Sequence, residues 1–208
     1  MDLRHERGVT LVDVIVGLVL FSMLVLAVYH LYLPTFALWR TIDDRLATQQ
    51  DVRLAVDRVA RALQETTLAV GRFRIYTTDN GCSGAYEGCI GFVTARDGKC
   101  TGSFHLSQGA PDWRATMYVW RDTGANELRL RCDATTAFPA PAWPPRLDPS
   151  VVIGTHVVGA SFSVEPAESA TPAAVTVTLA EQIAASGQRA TTAQATSYNS
   201  TVLVPRNR

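Results

Sequence analysis

Residues 9–33 read VTLVDVIVGLVLFSMLVLAVYHLYL, and this stretch decides how the rest of the chain is organised. No Asp, Glu, Lys or Arg occurs between Asp13 and Arg40. As an α-helix, a segment of this length extends about 38 Å, whereas the hydrocarbon core of a bilayer is about 30 Å thick. The sequence therefore predicts one membrane-spanning helix over residues 9–33.

The charged residues on either side of this stretch predict its orientation. Arg4 and Arg7 precede it, whereas Arg40 is followed by Asp43 and Asp44. Short flanking segments with an excess of Arg or Lys stay on the cytoplasmic side. We therefore expect the N-terminus to remain in the cytoplasm and the residues after the span to be exported.

Asp13 is the residue that does not fit a simple membrane anchor. An ionised carboxylate costs about 2.5–3.5 kcal/mol in the middle of a membrane and less near the interface. Two interpretations stand at this point. Either Asp13 lies at headgroup depth and is tolerated there, or it pairs with a positive group inside a hydrophobic assembly, which would give it a function.

The overall composition argues against several functional classes. The chain has 208 residues, with 19 basic and 19 acidic side chains and a formal net charge of zero. A dedicated nucleic-acid binder normally carries a basic excess. The four histidines are scattered, and no P-loop, Gly-x-Ser-x-Gly or His-Glu-x-x-His pattern occurs. We therefore expect no enzymatic activity, and any motor force has to come from a separate ATPase.

The segment Arg7-Gly8-Val9-Thr10-Leu11-Val12-Asp13 resembles the type III signal of type IV pilins and pseudopilins. That signal has a short basic leader, a glycine, a hydrophobic first mature residue, an acidic fifth mature residue and a long apolar helix. The resemblance implies that residues 1–8 are a leader and that a prepilin peptidase cuts after Gly8 and methylates the new amine of Val9. It also implies that Asp13 pairs with the terminal amine of a neighbouring subunit. The family usually has phenylalanine and glutamate where this chain has Val9 and Asp13.

Beyond the membrane the helix is predicted to continue over residues 34–71. Pro34 removes one backbone hydrogen bond and is expected to kink the helix. Further along, apolar residues recur near helical spacing with charged residues between them. The apolar positions are Ile42, Leu46, Val52, Val56, Val59 and Leu63. Thr66 and Thr67 weaken the pattern, and Gly71 is the expected C-cap residue.

Residues 72–208 are predicted to form a β-rich domain. Thr116–Arg121 and Glu127–Cys132 alternate apolar and polar residues around a run of turn residues, which indicates a hairpin. The other predicted strands are Arg72–Thr77, Val151–Val164, Ala174–Leu179 and Ser200–Val204. Phe138–Pro149 holds five of the ten prolines and is expected to be an irregular surface loop. The predicted fold class is α+β, with a long N-terminal helix packed on an antiparallel sheet.

Four further segments narrow the resemblance within the pilin superfamily. Tyr118-Val-Trp120, followed by a turn and Leu128-Arg-Leu130, is similar to a hairpin of PilW-like minor pilins and of the related J-type pseudopilins of type II secretion. The later run Gly159-Ala-Ser-Phe162-Ser-Val164 is similar to both groups as well. The ending Arg206-Asn-Arg208 resembles the close of the C-terminal strand in PilW-like proteins.

This resemblance implies a structural or priming subunit of a type IV pilus that serves assembly, motility, adhesion or DNA uptake. Its partners would be other minor and major pilins, the prepilin peptidase and the inner-membrane assembly platform, with nucleic acid bound only in a competence pilus. The protein would lie in the bacterial inner membrane with a periplasmic C-terminal domain, and later in the pilus at the cell surface. Three alternatives stay open: a pseudopilin of a type II secretion system, an uncleaved single-pass protein with a periplasmic binding domain, and a membrane-anchored enzyme.

The four cysteines, Cys82, Cys89, Cys100 and Cys132, all lie in the part of the chain that is predicted to be exported. An even number of cysteines in an oxidising compartment indicates disulfides, and four cysteines allow three connectivities. We favour Cys82–Cys89 within a Gly-rich loop and Cys100–Cys132 between that region and the hairpin. No Cys-x-x-Cys and no close histidine pair occurs, so neither a metal nor a cofactor is predicted.

The tryptophans and histidines are the remaining candidates for a surface function. Two of the tryptophans Trp113, Trp120 and Trp143 lie in or beside strand patterns, which favours packing in the core or on the hairpin face over an adhesive patch. His105, near Asp112 in sequence, and His156, on a predicted strand, could each join a His–carboxylate pair. The spacing does not require one.

Overall fold

The computed structural model describes residues 11–67, 71–97, 102–134, 138–144, 149–165, 174–182 and 195–203. The chain divides into two compact units, residues 1–44 and 45–208. One helix, α1 (Leu11–Gln64), accounts for all the described residues of the first unit and for the beginning of the second. Pro34 lies inside this helix, and the helical segment continues on both sides of it.

Ten strands follow the helix in the second unit. They are β1 (Phe73–Tyr76), β2 (Tyr86–Thr94), β3 (Leu106–Ser107), β4 (Ala110–Pro111), β5 (Ala115–Asp122), β6 (Glu127–Asp133), β7 (Val151–Gly154), β8 (Val157–Glu165), β9 (Ala174–Gln182) and β10 (Ala195–Leu203), with a short 3₁₀ helix at Thr78–Asn80. They form a five-stranded sheet in the order β1-β2-β5-β6-β7, a three-stranded sheet in the order β10-β9-β8, and the small β3–β4 pair. Every pairing is antiparallel, so the predicted α+β class is confirmed.

The main core lies where the second half of α1 meets both larger sheets. Its helical members are Val52, Ala55, Val56, Val59 and Leu63, and its sheet members include Ile90, Phe92, Met117, Val119, Leu128, Val157, Phe162, Val175, Val177 and Leu179. The helix comes very close to β7, since a Cβ added to Gly154 would lie 2.8 Å from the Cβ of Ala55. A glycine at this position therefore lets the helix pack on the sheet.

The buried stripe of α1 begins later than the sequence pattern predicts. Ile42 and Leu46 are 42% and 50% exposed, and burial starts at Val52. Ala55, which the pattern did not single out, is fully buried. A small residue is needed there because the backbone of Gly154 approaches so closely.

The helix also ends earlier than the predicted Gly71, at Gln64. The hydroxyl of Thr66 donates a hydrogen bond to the carbonyl oxygen of Val93 on β2, 2.6 Å away. Glu65 forms a two-pronged ion pair with Arg96, with distances of 2.6 Å and 2.5 Å. These tertiary bonds draw the residues after Gln64 out of the helix and towards the end of β2.

The predicted hairpin is confirmed, whereas two other predictions need correction and one strand was not predicted. β5 pairs with β6 from Thr116–Asp133 to Asp122–Glu127. The stretch predicted as one strand, Val151–Val164, is two strands in different sheets, β7 and β8, and His156 lies in the turn between them with a φ of 59°. β2 was not predicted at all, and β10 begins at Ala195, five residues before the predicted strand start.

The proline-rich segment is irregular over its described residues, as predicted, but it is more than a surface loop. Pro139 and Trp143 are buried, and Trp143 belongs to a second buried cluster with Cys82 and Cys89. We call residues 138–144 the strap. Residues 145–148 of the predicted loop lie outside the described part of the chain.

Candidate functional site

The first half of α1 presents apolar side chains in every direction. All the described side chains between Leu11 and Arg40 are exposed, and they include the large apolar residues Leu11, Val12, Val14, Ile15, Leu18, Leu20, Phe21, Met23, Leu24, Leu26, Leu31 and Leu38. Soluble monomers rarely expose a contiguous apolar surface of this extent. Such a helix requires a membrane or other helices around it.

The length of this segment matches a bilayer. Leu11–Arg40 is a 30-residue stretch, and it is the one helix long and apolar enough to cross a membrane in the part of the chain that the structure describes. At 1.5 Å per residue it extends about 45 Å, which covers the hydrocarbon core and both interfaces. It reaches further than the predicted limit at residue 33.

Two hydroxyl side chains of the segment form hydrogen bonds within the helix. The hydroxyl of Ser22 donates to the carbonyl oxygen of Val19, and the hydroxyl of Thr35 donates to that of Leu31, each at 2.8 Å. In the hydrocarbon core of a bilayer, a hydroxyl or carbonyl group without a hydrogen bond costs roughly several kcal/mol of free energy. Hydrogen bonds within the helix avoid this cost. These two hydroxyl groups are therefore compatible with an apolar environment.

Aromatic and basic side chains gather at the C-terminal end of the segment. The rings of Tyr32 and Phe36 stack with their centroids 5.7 Å apart, and the guanidinium carbon of Arg40 lies 5.2 Å from the centroid of Phe36. Aromatic side chains and Arg are typical of the headgroup level of a bilayer. This end of the helix thus has the composition of a membrane interface.

The predicted site residues fall partly within the described chain. Gly8 and Val9 lie outside the described residues, whereas Asp13 lies in the first turn of α1 as described and its side chain is exposed. The predicted disulfide Cys82–Cys89 is present. Cys132 is also disulfide-bonded, and its predicted partner Cys100 lies outside the described residues.

The two histidines that the structure describes in the second unit, His105 and His156, each contact a neighbouring polar side chain. His105 contacts Asp97 at 2.6 Å, and Asp112, its neighbour in sequence, pairs with Arg114. His156 lies in a turn and contacts the hydroxyl of Thr155 at 3.0 Å. Over the described ranges, no three His, Cys, Asp or Glu side chains come together as they do around a metal ion.

Trp120 and Trp143 are buried, as the strand patterns predicted, but the sequence analysis did not identify the aromatic cluster that they join on the second face of the five-stranded sheet. Met117 and Val119 of β5 point into the main core, and side chains alternate along a strand, so Tyr118 and Trp120 point to the other face. We call Tyr76, Tyr86, Tyr118 and Trp120 the aromatic face; the strap covers it. The signal available in the sequence was the pair of aromatic residues at alternate positions of β5, Tyr118 and Trp120.

The hydroxyl groups of the aromatic face bind the backbone of the strap. Burial raises the pKa of both Tyr76 and Tyr118, so both hydroxyls keep their protons at neutral pH. Tyr76 donates to the carbonyl oxygen of Ala140 at 2.8 Å, and Tyr118 accepts from the N–H of Ala140 at 2.9 Å. One strap residue is thus held through both of its backbone polar groups.

Comparison with known proteins identifies no relative. The chain matches no protein-family model, no curated protein and no solved structure.

Proposed function

We propose that the chain is a minor pilin, a structural or priming subunit of a type IV pilus that a prepilin peptidase processes. One observation carries this proposal: the helix from Leu11 to Arg40 exposes apolar side chains all round, and it directly follows the sequence Gly8-Val9 of a pilin-type signal.

In this function the helix has two successive environments. It is first held in the inner membrane, with the C-terminal domain in the periplasm, and an assembly platform with its ATPase then extracts it. Burial against the apolar helices of other pilins replaces burial in lipid, so the extraction exposes little apolar surface to water. Asp13 pairs with the free amine of a neighbouring subunit, which lowers the cost of both charges in the bundle.

A pseudopilin of a type II secretion system would use the same helix and the same processing. The resemblance of the Arg206-Asn-Arg208 ending to PilW-like proteins favours the pilus. An uncleaved membrane protein with a periplasmic binding domain would keep residues 1–8. Cleavage after Gly8 therefore separates the pilin pathway from that last alternative.

The processing step is tested by co-expressing the chain with a prepilin peptidase. We expect the wild-type chain to lose residues 1–8, and the variant Gly8→Leu to keep them because a large side chain blocks the bond next to Gly8. Electrophoretic mobility and mass spectrometry measure the difference. Cleavage of Gly8→Leu at the same site, or no cleavage of the wild-type chain, would contradict the proposal.

The role of Asp13 is tested separately from processing. The variant Asp13→Ala is expected to be cleaved normally but to enter filaments or minor-pilin complexes about tenfold less or worse, since it leaves a buried amine without a partner. Asp13→Glu keeps the charge and serves as the matched control. Quantitative immunoblotting of sheared filaments and co-purification with other pilins measure incorporation. Normal incorporation of Asp13→Ala would contradict the pairing of Asp13 with a neighbouring subunit.

A further inference from the structure

The connection between β6 and β7 is far longer than their pairing requires. The two strands are hydrogen-bonded neighbours, with Leu130 opposite Val151. About two to five residues commonly close such a hairpin, but this connection runs over residues 134–150. Its described part, the strap, reaches back across the sheet to β1 and the 3₁₀ helix.

The strap is held mainly through its backbone, in the way that extended peptides are recognised. Besides the two bonds at Ala140, Arg74 donates to the carbonyl oxygen of Pro141 at 2.7 Å. The backbone N–H of Trp143 donates to the carbonyl oxygen of Asn80, also at 2.7 Å. These four bonds do not depend on the side chains of the strap, so another extended segment could form them.

Trp143 is the aromatic anchor of the strap, and Pro139 is its other buried side chain. The ring of Trp143 lies among those of the aromatic face, with centroid distances of 5.0 Å to Tyr76, 5.7 Å to Tyr118, 5.8 Å to Trp120 and 6.0 Å to Tyr86. By contrast Phe138, Pro141 and Ala142 are exposed. One aromatic anchor, few buried residues and backbone bonds make up the footprint of a bound peptide.

The anchor fits its site imperfectly. Trp143 is 6% exposed, and its indole nitrogen Nε1 is buried without a hydrogen-bond acceptor among the described residues. A buried donor without a partner weakens an interaction by a factor of roughly 5 to 150. An aromatic anchor of similar size without an N–H group would therefore bind the aromatic face more tightly than the chain's own strap.

We propose that the aromatic face is a binding site for an extended proline-rich segment of a partner protein, anchored by an aromatic side chain without an N–H donor. The strap is a built-in competitor that this segment displaces. A second copy of the chain is not the occupant, because its strap carries the same unpaired indole. It would gain nothing over the tethered strap, which also has the advantage of high local concentration.

The test uses the full-length chain in nanodiscs and fluorescent peptides with the sequence of residues 135–147. One peptide keeps tryptophan at the anchor position, one carries its isostere benzothienylalanine, which has sulfur in place of N–H, and a control carries alanine. Fluorescence anisotropy measures binding to the wild-type chain and to Trp143→Ala, in which the strap has lost its anchor. Circular dichroism and an intact Cys82–Cys89 disulfide verify that the variant is folded.

We expect Trp143→Ala to bind the benzothienylalanine peptide at least about fivefold more tightly than the tryptophan peptide, and not to bind the alanine peptide. The wild-type chain binds either aromatic peptide at least about tenfold more weakly, since its strap competes. Adding Arg74→Ala weakens binding several-fold, on the order of one charged hydrogen bond, whereas adding Arg114→Ala, a charged residue outside the footprint, does not.

Three results would overturn the proposal. The first is a folded Trp143→Ala chain that binds neither aromatic peptide. The second is a Trp143→Ala chain that binds the alanine peptide as tightly as it binds the aromatic peptides. The third is dimerisation of the wild-type chain that Trp143→Ala abolishes, because that would assign the face to a second copy. If Trp143→Ala does not fold, Trp143→Leu replaces it, since it removes the aromatic anchor while keeping the cluster apolar. The same comparison of the three peptides then decides.

Discussion

At the scale of single residues, Gly88 fixes how the two larger sheets meet. It lies in β2 beside a register shift between Glu87 and Ile90, and its φ is 54°. A Cβ at this position would collide with the backbone carbonyl of Ala160 on β8. The backbone crossing of β2 and β8 therefore depends on the absence of a side chain here.

Gly88→Ala and Gly84→Ala form a matched pair within the same disulfide-closed loop. Gly84 has a φ of 69° and open space around its Cα, so alanine there costs about 1–2 kcal/mol for the left-handed backbone alone. Gly88→Ala adds the collision with Ala160, and we expect a total loss of at least about 3 kcal/mol. Urea unfolding of the full-length chain in nanodiscs measures both. Equal losses for the two variants would show that β8 does not constrain Gly88.

Glu181 on β9 is an acidic side chain in an apolar place. It is fully buried, and neither carboxyl oxygen has a hydrogen-bond partner among the described residues. Burial raises the pKa of this carboxyl, and the charges of Arg53 and His156 lower it in part. The folded protein therefore keeps the proton to a higher pH than the unfolded chain does.

This shift predicts a pH dependence of stability. Well below pH 4 the Glu181 carboxyl is protonated in both the folded and the unfolded protein, so its ionisation does not change the free energy of unfolding. As the pH rises, the unfolded chain ionises first, so the free energy of unfolding falls until the pH passes the raised pKa of the folded state. Glu181→Gln cannot ionise, so we expect it to be more stable than wild type at pH 7, with a smaller difference at pH 4.

Urea titrations at both pH values measure this effect, and Asp79→Asn, which neutralises an exposed carboxyl, is the matched control. A destabilised Glu181→Gln at pH 7 would mean that the carboxylate has a stabilising partner. A difference from wild type that is the same at both pH values would exclude ionisation of Glu181 as its cause.

At the scale of elements, the features with a strong local pattern were predicted and the others were not. The apolar helix and the β5–β6 hairpin follow from continuous hydropathy and from alternation around turn residues. β2 was missed because its residues Cys89–Thr94 are buried on both faces, so polar and apolar residues do not alternate. Glycines at positions 88 and 91 hid it further.

The breaks within elements depend on contacts distant in sequence. The turn that separates β7 from β8 is held by Asp51, whose carboxylate accepts bonds from the N–H and the hydroxyl of Thr155 at 2.7 Å and 2.6 Å. The sequence around Thr155 gives no indication that its hydrogen-bond partner lies on α1. The end of the helix at Gln64 likewise depends on contacts with Arg96 and Val93. Trp143 packs against residues of strands that are distant from it in sequence and become its neighbours only when the chain folds.

The Cys82–Cys89 disulfide supports the element that carries Tyr86. It closes a short loop and packs in the same cluster as the aromatic face and Trp143. We expect Cys82→Ser/Cys89→Ser to lower the free energy of unfolding by about 2.5 kcal/mol on loop-closure grounds. The fluorescence of the buried Trp120 and Trp143 should become more solvent-like, because their packing loosens.

Ser83→Ala, an exposed change in the same loop with the disulfide kept, is the control for this pair. Urea unfolding followed by tryptophan fluorescence records both quantities in one experiment. An unchanged midpoint and an unchanged emission maximum in the double variant would show that hydrogen bonds and packing hold the aromatic cluster without the disulfide.

At the scale of the whole molecule, the two units differ in how far they bury their apolar side chains. Residues 45–208 bury their apolar side chains in a core of their own, whereas the described helix of residues 1–44 buries almost none. The first unit is therefore incomplete in water and needs lipid or neighbouring helices. The proposed pilin function supplies both in turn, and it requires that residues 1–8 be removed before assembly.

The most direct test of this function is the intact mass and N-terminal peptide of the protein purified from its native membrane. We predict a mature chain that starts at N-methyl-Val9. Measuring the mass with and without reduction also reports the disulfides of residues 45–208. A chain that starts at Met1 with residues 1–8 retained would contradict the pilin function and favour a permanently anchored periplasmic domain.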